Sequence, residues 1–211
     1  MNRILPTRVW RTVGIAVWLV ATAAGLKALL DYQVAPGAPA APPESWPSSS
    51  QFPRATHGST LLVIAHPHCP CTRATMGELA QIMARTQGKL EAQVLFVVPK
   101  GIDASWAETD IWRAASAIPG VHAYVDMNGD NARLFGAATS GQALLYGDNG
   151  QLQFAGGITS GRGHEGDNAG SDAIVSMINS RRATRSSTPV FGCALASPSL
   201  ETEGRRPRCP N

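Results

Sequence analysis

Charge is scarce in this sequence. Of its 211 residues, 18 are Lys or Arg and 15 are Asp or Glu, a net charge of +3. The basic residues are scattered or gathered at the termini, with no basic stripe interleaved with aromatics, so no nucleic-acid partner is expected. Asp126-Met127-Asn128-Gly129-Asp130 opens like a calcium loop, but the later glutamate is missing and Ala137 stands near its place; the stretch reads as a plain turn. Cysteine is also scarce, with four in the whole chain. The high Ala, Gly and Pro content discriminates among no functions.

Two of those four cysteines lie one residue apart, in His66-Pro67-His68-Cys69-Pro70-Cys71-Thr72. The apolar run Leu61–Ala65 precedes them, and Met76, Leu79, Ile82 and Met83 follow at helical spacing. A strand-to-helix junction offers unsatisfied backbone N–H groups and the positive end of the helix dipole, both of which favour a thiolate. Two thiols beside two histidines at such a junction point to redox or metal chemistry rather than packing. His66 or His68, if protonated, lowers a neighbouring thiol's pKa further.

The N-terminus suggests where this chemistry takes place. Arg3, Arg8 and Arg11 precede an apolar stretch from Val13 to Leu30 that only Lys27 interrupts. Its length suits a single membrane-spanning helix with Lys27 snorkelling near the end. A cleaved signal peptide is the rival reading, because Ala21-Thr22-Ala23 and Ala38-Pro39-Ala40 both have the small-x-small pattern. Both readings put the rest of the chain in the periplasm or outside the cell, where disulfides persist. The expected organisation is a basic cytoplasmic segment at 1–12, an inner-membrane anchor at 13–30 and a Pro/Ala/Ser-rich extended linker at 31–58. A folded domain at 59–182 and a mostly irregular tail at 183–211 follow, and only Val190–Leu195 of that tail is suited to packing.

Within the domain the elements alternate. Strands are expected at 61–65, 92–98 and 121–125, separated by helices at 73–85 and over a capping-box start at Ser105-Trp106-Ala107-Glu108. A short helix at 131–135 leads to strand 143–146, the turn Gly147-Asp148-Asn149-Gly150, strand 152–155 and a last helix at 168–180. The order implies an α/β fold in three layers, a mixed central sheet with helices on both faces.

A strand, a cysteine motif, a helix and a later hairpin closed by a helix resemble the thioredoxin-like superfamily over about 59–182. The chain is most similar there to the membrane-anchored extracytoplasmic thioredoxin and peroxiredoxin-related branch, and within it to the RedB-like group. The residues that carry this are His66-Pro67-His68-Cys69-Pro70-Cys71, the stretch Gly156-Gly157-Ile158-Thr159 to Gly163-His164-Glu165-Gly166-Asp167-Asn168, and Phe191-Gly192-Cys193. Aligning Met76-Gly77-Glu78-Leu79 with the family's helix puts Cys69 on the nucleophilic cysteine. The family's second cysteine position falls on Thr72, and the family's proline before the hairpin is absent from Thr139-Ser140-Gly141-Gln142. No Pro-x-x-x-Thr-x-x-Cys arrangement precedes Cys69, which argues against a peroxidase.

The resemblance implies a thiol–disulfide oxidoreductase without cofactor, acting on protein thiols and disulfides and reset by a redox partner protein. Cys69 is then the nucleophile, and Cys71 the nearest resolving thiol through a strained i,i+2 disulfide. Cys193 is the alternative resolving thiol, and Cys209 pairs with Cys193 or stays free in the tail. His164 and Glu165 form a candidate second-loop site, with Arg162 read as a solvated loop arginine. Two further functions compete. Cys69, Cys71, His66, His68 and His164 are donors suited to copper or zinc, as in a metal-delivery protein. A non-catalytic interaction module is the other.

Overall fold

The computed structural model describes residues 7–180, 182 and 185–195, so Cys209 lies outside the described residues. The chain divides into two units, Met1–Ala35 and Pro36–Asn211. The first holds helix α1 (Thr7–Val34), with Lys27 Nζ paired to Asp31 Oδ2 at 2.7 Å. Among the described residues, Arg8–Val34 is the one helix long and apolar enough to cross a membrane. At 1.5 Å per residue it extends roughly 40 Å, more than the thickness of a hydrocarbon core.

The second unit contains β1 (Ser59–Ala65), α2 (Pro70–Thr86), β2 (Leu90–Val98), a 3₁₀ turn (Ala104–Ala107), α3 (Asp110–Ser116) and β3 (Val121–Met127). It continues with α4 (Asp130–Leu134), β4 (Gln142–Tyr146), β5 (Leu152–Gly157) and α5 (Ala169–Ser180). The sheet order is β3-β2-β1-β4-β5; β1, β2 and β3 run parallel, and β4 and β5 are antiparallel to their neighbours. The central strand is apolar on every residue from Leu61 because both faces are covered. Leu61, Val63 and Ala65 face Met76, Leu79 and Ile82 of α2 and Ile174 of α5. Leu62 and Ile64 belong to a second core with Phe135, Leu144 and Tyr146.

Two expectations need correction. The single helix expected from Ser105 is split in two: the Asp103 side chain caps the 3₁₀ turn through Ser105 N, and Thr109 caps α3 through Trp112 N. Two separate caps three residues or more apart start two short elements in place of one. The linker at 31–58 is not a free tether either. From Pro36 it belongs to the folded body, because five-residue α4 is too short to cover the second face of the sheet. Trp46 makes edge contacts with Phe135 and Tyr146 at 4.9 and 5.2 Å, and Tyr146 Oη donates to Pro43 O at 3.1 Å. Leu152 N donates to Glu44 O at 2.7 Å and Trp46 N to Gly150 O at 2.8 Å, so the linker runs beside the hairpin. The Asp126 turn has a structural role: its buried carboxylate accepts from Asn131 N and Ala132 N and starts α4.

Candidate active site

β1 ends at Ala65, and four residues later Cys69 is the N-cap of α2 in an extended conformation, with Pro70 in the first helical turn. Proline suits that position because its missing N–H is one the helix cannot use. Cys69 itself is buried, with only 2% of its surface exposed. Three elements meet around it. Ser140 Oγ, from the loop before β4, accepts from His66 N at 2.8 Å and lies 2.9 Å from Thr72 Oγ1, which donates to His66 O at 3.2 Å. Thr72 thus ties α2 to the residue just after β1 and to the loop before β4.

The tail completes the site. Cys193 Sγ lies 3.0 Å from Cys69 Sγ, and both sulfurs are free thiols at hydrogen-bond contact. Backbone pairing brings it there through an isolated bridge: Thr139 pairs antiparallel with Ala194, Ser140 N donates to Cys193 O at 2.8 Å, and Leu195 N donates to Ala138 O at 3.0 Å. Upstream, Ala155 N donates to Ser186 O at 3.0 Å, Thr188 Oγ1 donates to Gly157 O at 2.7 Å, and Val190 is buried. The linker also holds this strap, since Gly37 N donates to Val190 O at 2.8 Å. Gly192 fits only because it lacks a side chain: an added Cβ would sit 1.9 Å from Ser140 O.

Cys69 and Cys193 share their protons unequally. The Cys193 thiol donates to Cys69 and is the largest reason the Cys69 pKa falls to about 4, with the backbone N–H groups of Cys193 and Cys71 assisting against burial. Cys193 is pushed up by giving that hydrogen bond, by burial and by the negative charge on Cys69. Cys69 is therefore the thiolate of the pair at neutral pH, and Cys193 the thiol. Burial first, and then the charge on Cys69, push Cys71 up, and it is half-buried. Of the two resolving thiols the sequence offered, Cys193 places its sulfur 3.0 Å from Cys69 Sγ, and Cys71 shares a weaker side-chain hydrogen bond with Cys69 that helps to push its own pKa up.

The histidines differ from expectation. Burial holds His66 below its ordinary value despite the attraction of Cys69, so the ring is neutral at pH 7 rather than an imidazolium. Its Nδ1 accepts from His68 N at 3.2 Å, and His68 Nε2 lies 3.0 Å from Trp106 O. His66, His68 and Trp106 form an aromatic lip, with ring centroids 5.3 and 4.3 Å from Trp106. His164 and Glu165 are exposed, and Glu165 lies over Gly77 of α2. Among the described residues no hydrogen bond ties either to the cysteines, and no three His, Cys, Asp or Glu residues are grouped to hold a metal ion. The five metal donors named from the sequence are therefore not gathered into one site.

Arg162 corrects the sequence reading most. It is half-buried, and its Nη1 donates to Gly192 O, beside Cys193. Its loop is anchored by Glu78, which is 2% exposed and accepts from Gly166 N at 2.6 Å, Asn168 Nδ2 at 2.9 Å and Ser171 Oγ at 3.1 Å. Ser140, Gly192 and Glu78 carried no local signal that would have singled them out, since their partners lie 30 to 93 residues away.

A central sheet of this order, with a cysteine at the start of the helix that follows its middle strand, defines the thioredoxin-like fold. No family model and no curated protein matches the chain. Among solved structures, the chain is similar to an uncharacterized conserved protein from Geobacillus kaustophilus, with TM-score 0.53 and 15% identity over 77% of this chain and 98% of that one. A hypothetical protein from Sinorhizobium meliloti 1021 gives TM-score 0.52 and 16% identity over 66% and 80%. A structure of MTB dsbF in mixed oxidized and reduced forms matches at TM-score 0.43 and 12% identity, over 59% and 81%.

Proposed function

We propose that this protein is a membrane-anchored extracytoplasmic thiol–disulfide oxidoreductase in which Cys69 attacks and Cys193 resolves. The observation that carries the reading is the Cys69 sulfur at the start of α2, 3.0 Å from the Cys193 sulfur on a docked strap. In the reducing direction, Cys69 S⁻ attacks one sulfur of a substrate disulfide; a Cys69–substrate bond forms, the substrate S–S bond breaks and one thiolate leaves. Cys193 then loses its proton to solvent or to the departing thiolate and attacks Cys69 Sγ. The second substrate thiolate leaves, and the protein holds a Cys69–Cys193 disulfide while the substrate has gained two electrons. Closing that bond needs an approach of only roughly 1 Å from the contact distance. A redox partner protein outside the cytoplasm restores the dithiol, and the same steps reversed oxidise a substrate.

The full chain with single cysteine substitutions tests this against a model protein disulfide. Cys69→Ser is expected to abolish turnover, Cys193→Ser to accumulate a Cys69–substrate mixed disulfide, and Cys71→Ser to turn over normally. Retained turnover in Cys69→Ser would sink the proposal. A mixed disulfide trapped by Cys71→Ser in place of Cys193→Ser would transfer the resolving role to Cys71.

A further inference from the structure

We propose that Arg162 is a positioning residue for the second half of thiol exchange, holding the Cys193 strap in place and presenting its positive charge to the resolving thiol. The proposal rests on the Cys69–Cys193 reading above. The strap has no helix or strand of its own around Cys193, so neighbouring groups must hold it. The backbone of residues 138–140 holds one side, from Cys193 onward. On the other side, the residue immediately before Cys193 is held by the Arg162 guanidinium through Gly192 O. That guanidinium is itself prepositioned, because the far end of its loop is fastened to buried Glu78 on α2 by three hydrogen bonds. An arginine whose only role was to bind solvent or a passing anion would need none of this anchoring.

The charges around the site change during the reaction, and this is where Arg162 acts. The titratable and charged groups bearing on Cys193 are Cys69, Cys71 and Arg162. In the resting dithiol the negative charge is on Cys69, which keeps Cys193 protonated. Once Cys69 is bonded to substrate sulfur its negative charge is gone, and with it the strongest obstacle to ionising Cys193. Arg162 remains and favours the Cys193 thiolate. The thiolate thus passes from the attacking sulfur to the resolving sulfur within one turnover, and the proton released by Cys193 goes to solvent. The first attack draws on the Cys193 thiol and on helix and strap N–H groups, and without Arg162 the pairing of Cys193 and Leu195 with residues 138–140 still keeps Cys193 beside Cys69.

An aromatic disulfide, 5,5′-dithiobis(2-nitrobenzoate), separates the two halves. Attack by Cys69 releases one coloured thiolate, and resolution by Cys193 releases a second. The full chain is used with Cys71→Ser and Cys209→Ser to silence the other thiols. Arg162→Met is expected to leave the first release within about twofold, slow the second about tenfold at neutral pH, and move its pH midpoint up by about one unit. Arg162→Lys keeps the charge but loses the fork, so its midpoint stays while its rate falls by about threefold. A second release unchanged in Arg162→Met overturns the proposal, and so does slowing with no shift in midpoint. If Arg162→Met does not fold, a shifted midpoint in Arg162→Lys overturns it. Absence of the second release in the parental protein refutes the thiol-exchange reading itself, a result distinct from any change at Arg162.

Discussion

Replacing Gly192 with alanine tests whether the strap, and not the helix alone, makes Cys69 reactive. The backbone of Gly192 is one that alanine can adopt, so the effect comes only from space. The new Cβ would meet Ser140 O at 1.9 Å and Ser140 C at 2.9 Å, both backbone atoms at the head of β4. Carbon and oxygen do not approach that closely without contact energies rising steeply, so the strap must retreat by about 1 Å. The Ser140 N to Cys193 O hydrogen bond, 2.8 Å in the wild type, then exceeds bonding range. The contact between the sulfurs, 3.0 Å in the wild type, opens to roughly 4 Å. Cys69 loses its largest stabilising partner, and its pKa rises from about 4 toward the ordinary thiol value of ~8.5.

Alkylation rate against pH, with thiolate ultraviolet absorbance as a second readout, measures this directly. Because the folded-state pKa of Cys69 is depressed, its thiolate should persist in the wild type down through about pH 5 and be lost as pH falls through about 4. The stability this ionisation contributes is fully present above the unfolded thiol value of ~8.5 and is lost progressively as pH falls from there to about 4. In Gly192→Ala the thiolate titration and the lower end of the stability window should move up by more than one unit, and air oxidation to a Cys69–Cys193 disulfide should slow by at least about tenfold. An unchanged alkylation profile in a folded Gly192→Ala protein would refute the idea that Cys193 controls Cys69.

Two further substitutions probe the supports of the site. Glu78→Ala strands the buried donors of Asn168 and Ser171 together with Gly166 N; urea unfolding should show a loss of about 2–4 kcal/mol, and the loop at 161–168 should become cleavable by protease. A loss below about 1 kcal/mol would mean that Glu78 does not fasten the loop. Trp46→Ala removes the edge contacts with Phe135 and Tyr146; because Trp46 is only partly buried, a loss of about 2 kcal/mol is expected, with protease access to residues 36–46. Retained protection of that segment would show that backbone pairing beside the hairpin is enough to hold it.

Local chemistry was sufficient to reveal the thiol site. Cysteines between an apolar strand and an amphipathic helix announce a helix N-terminus, and apolar runs and period-3.6 patterns located the strands and helices of the domain to within a few residues, apart from the stretch from Ser105 that divides into two elements. Apolar length alone located the N-terminal helix. What the sequence by itself could not decide was which distant segments close on the site. The partner of Cys69 lies 124 residues away, in the apolar patch Val190–Leu195, which is suited to packing but carries nothing that says where it docks. The linker looked like a tether because its prolines and alanines carry no pattern, yet a sheet face left uncovered by a five-residue helix draws it in through Trp46. Arg162 looked solvated because nothing beside it in sequence receives its hydrogen bond; the acceptor, Gly192 O, arrives only when the tail folds back. Short-range patterning determines which elements form and where a thiolate can be stabilised. The choice of partner thiol and the charge beside it depend on long-range packing, and only the tertiary structure decided them.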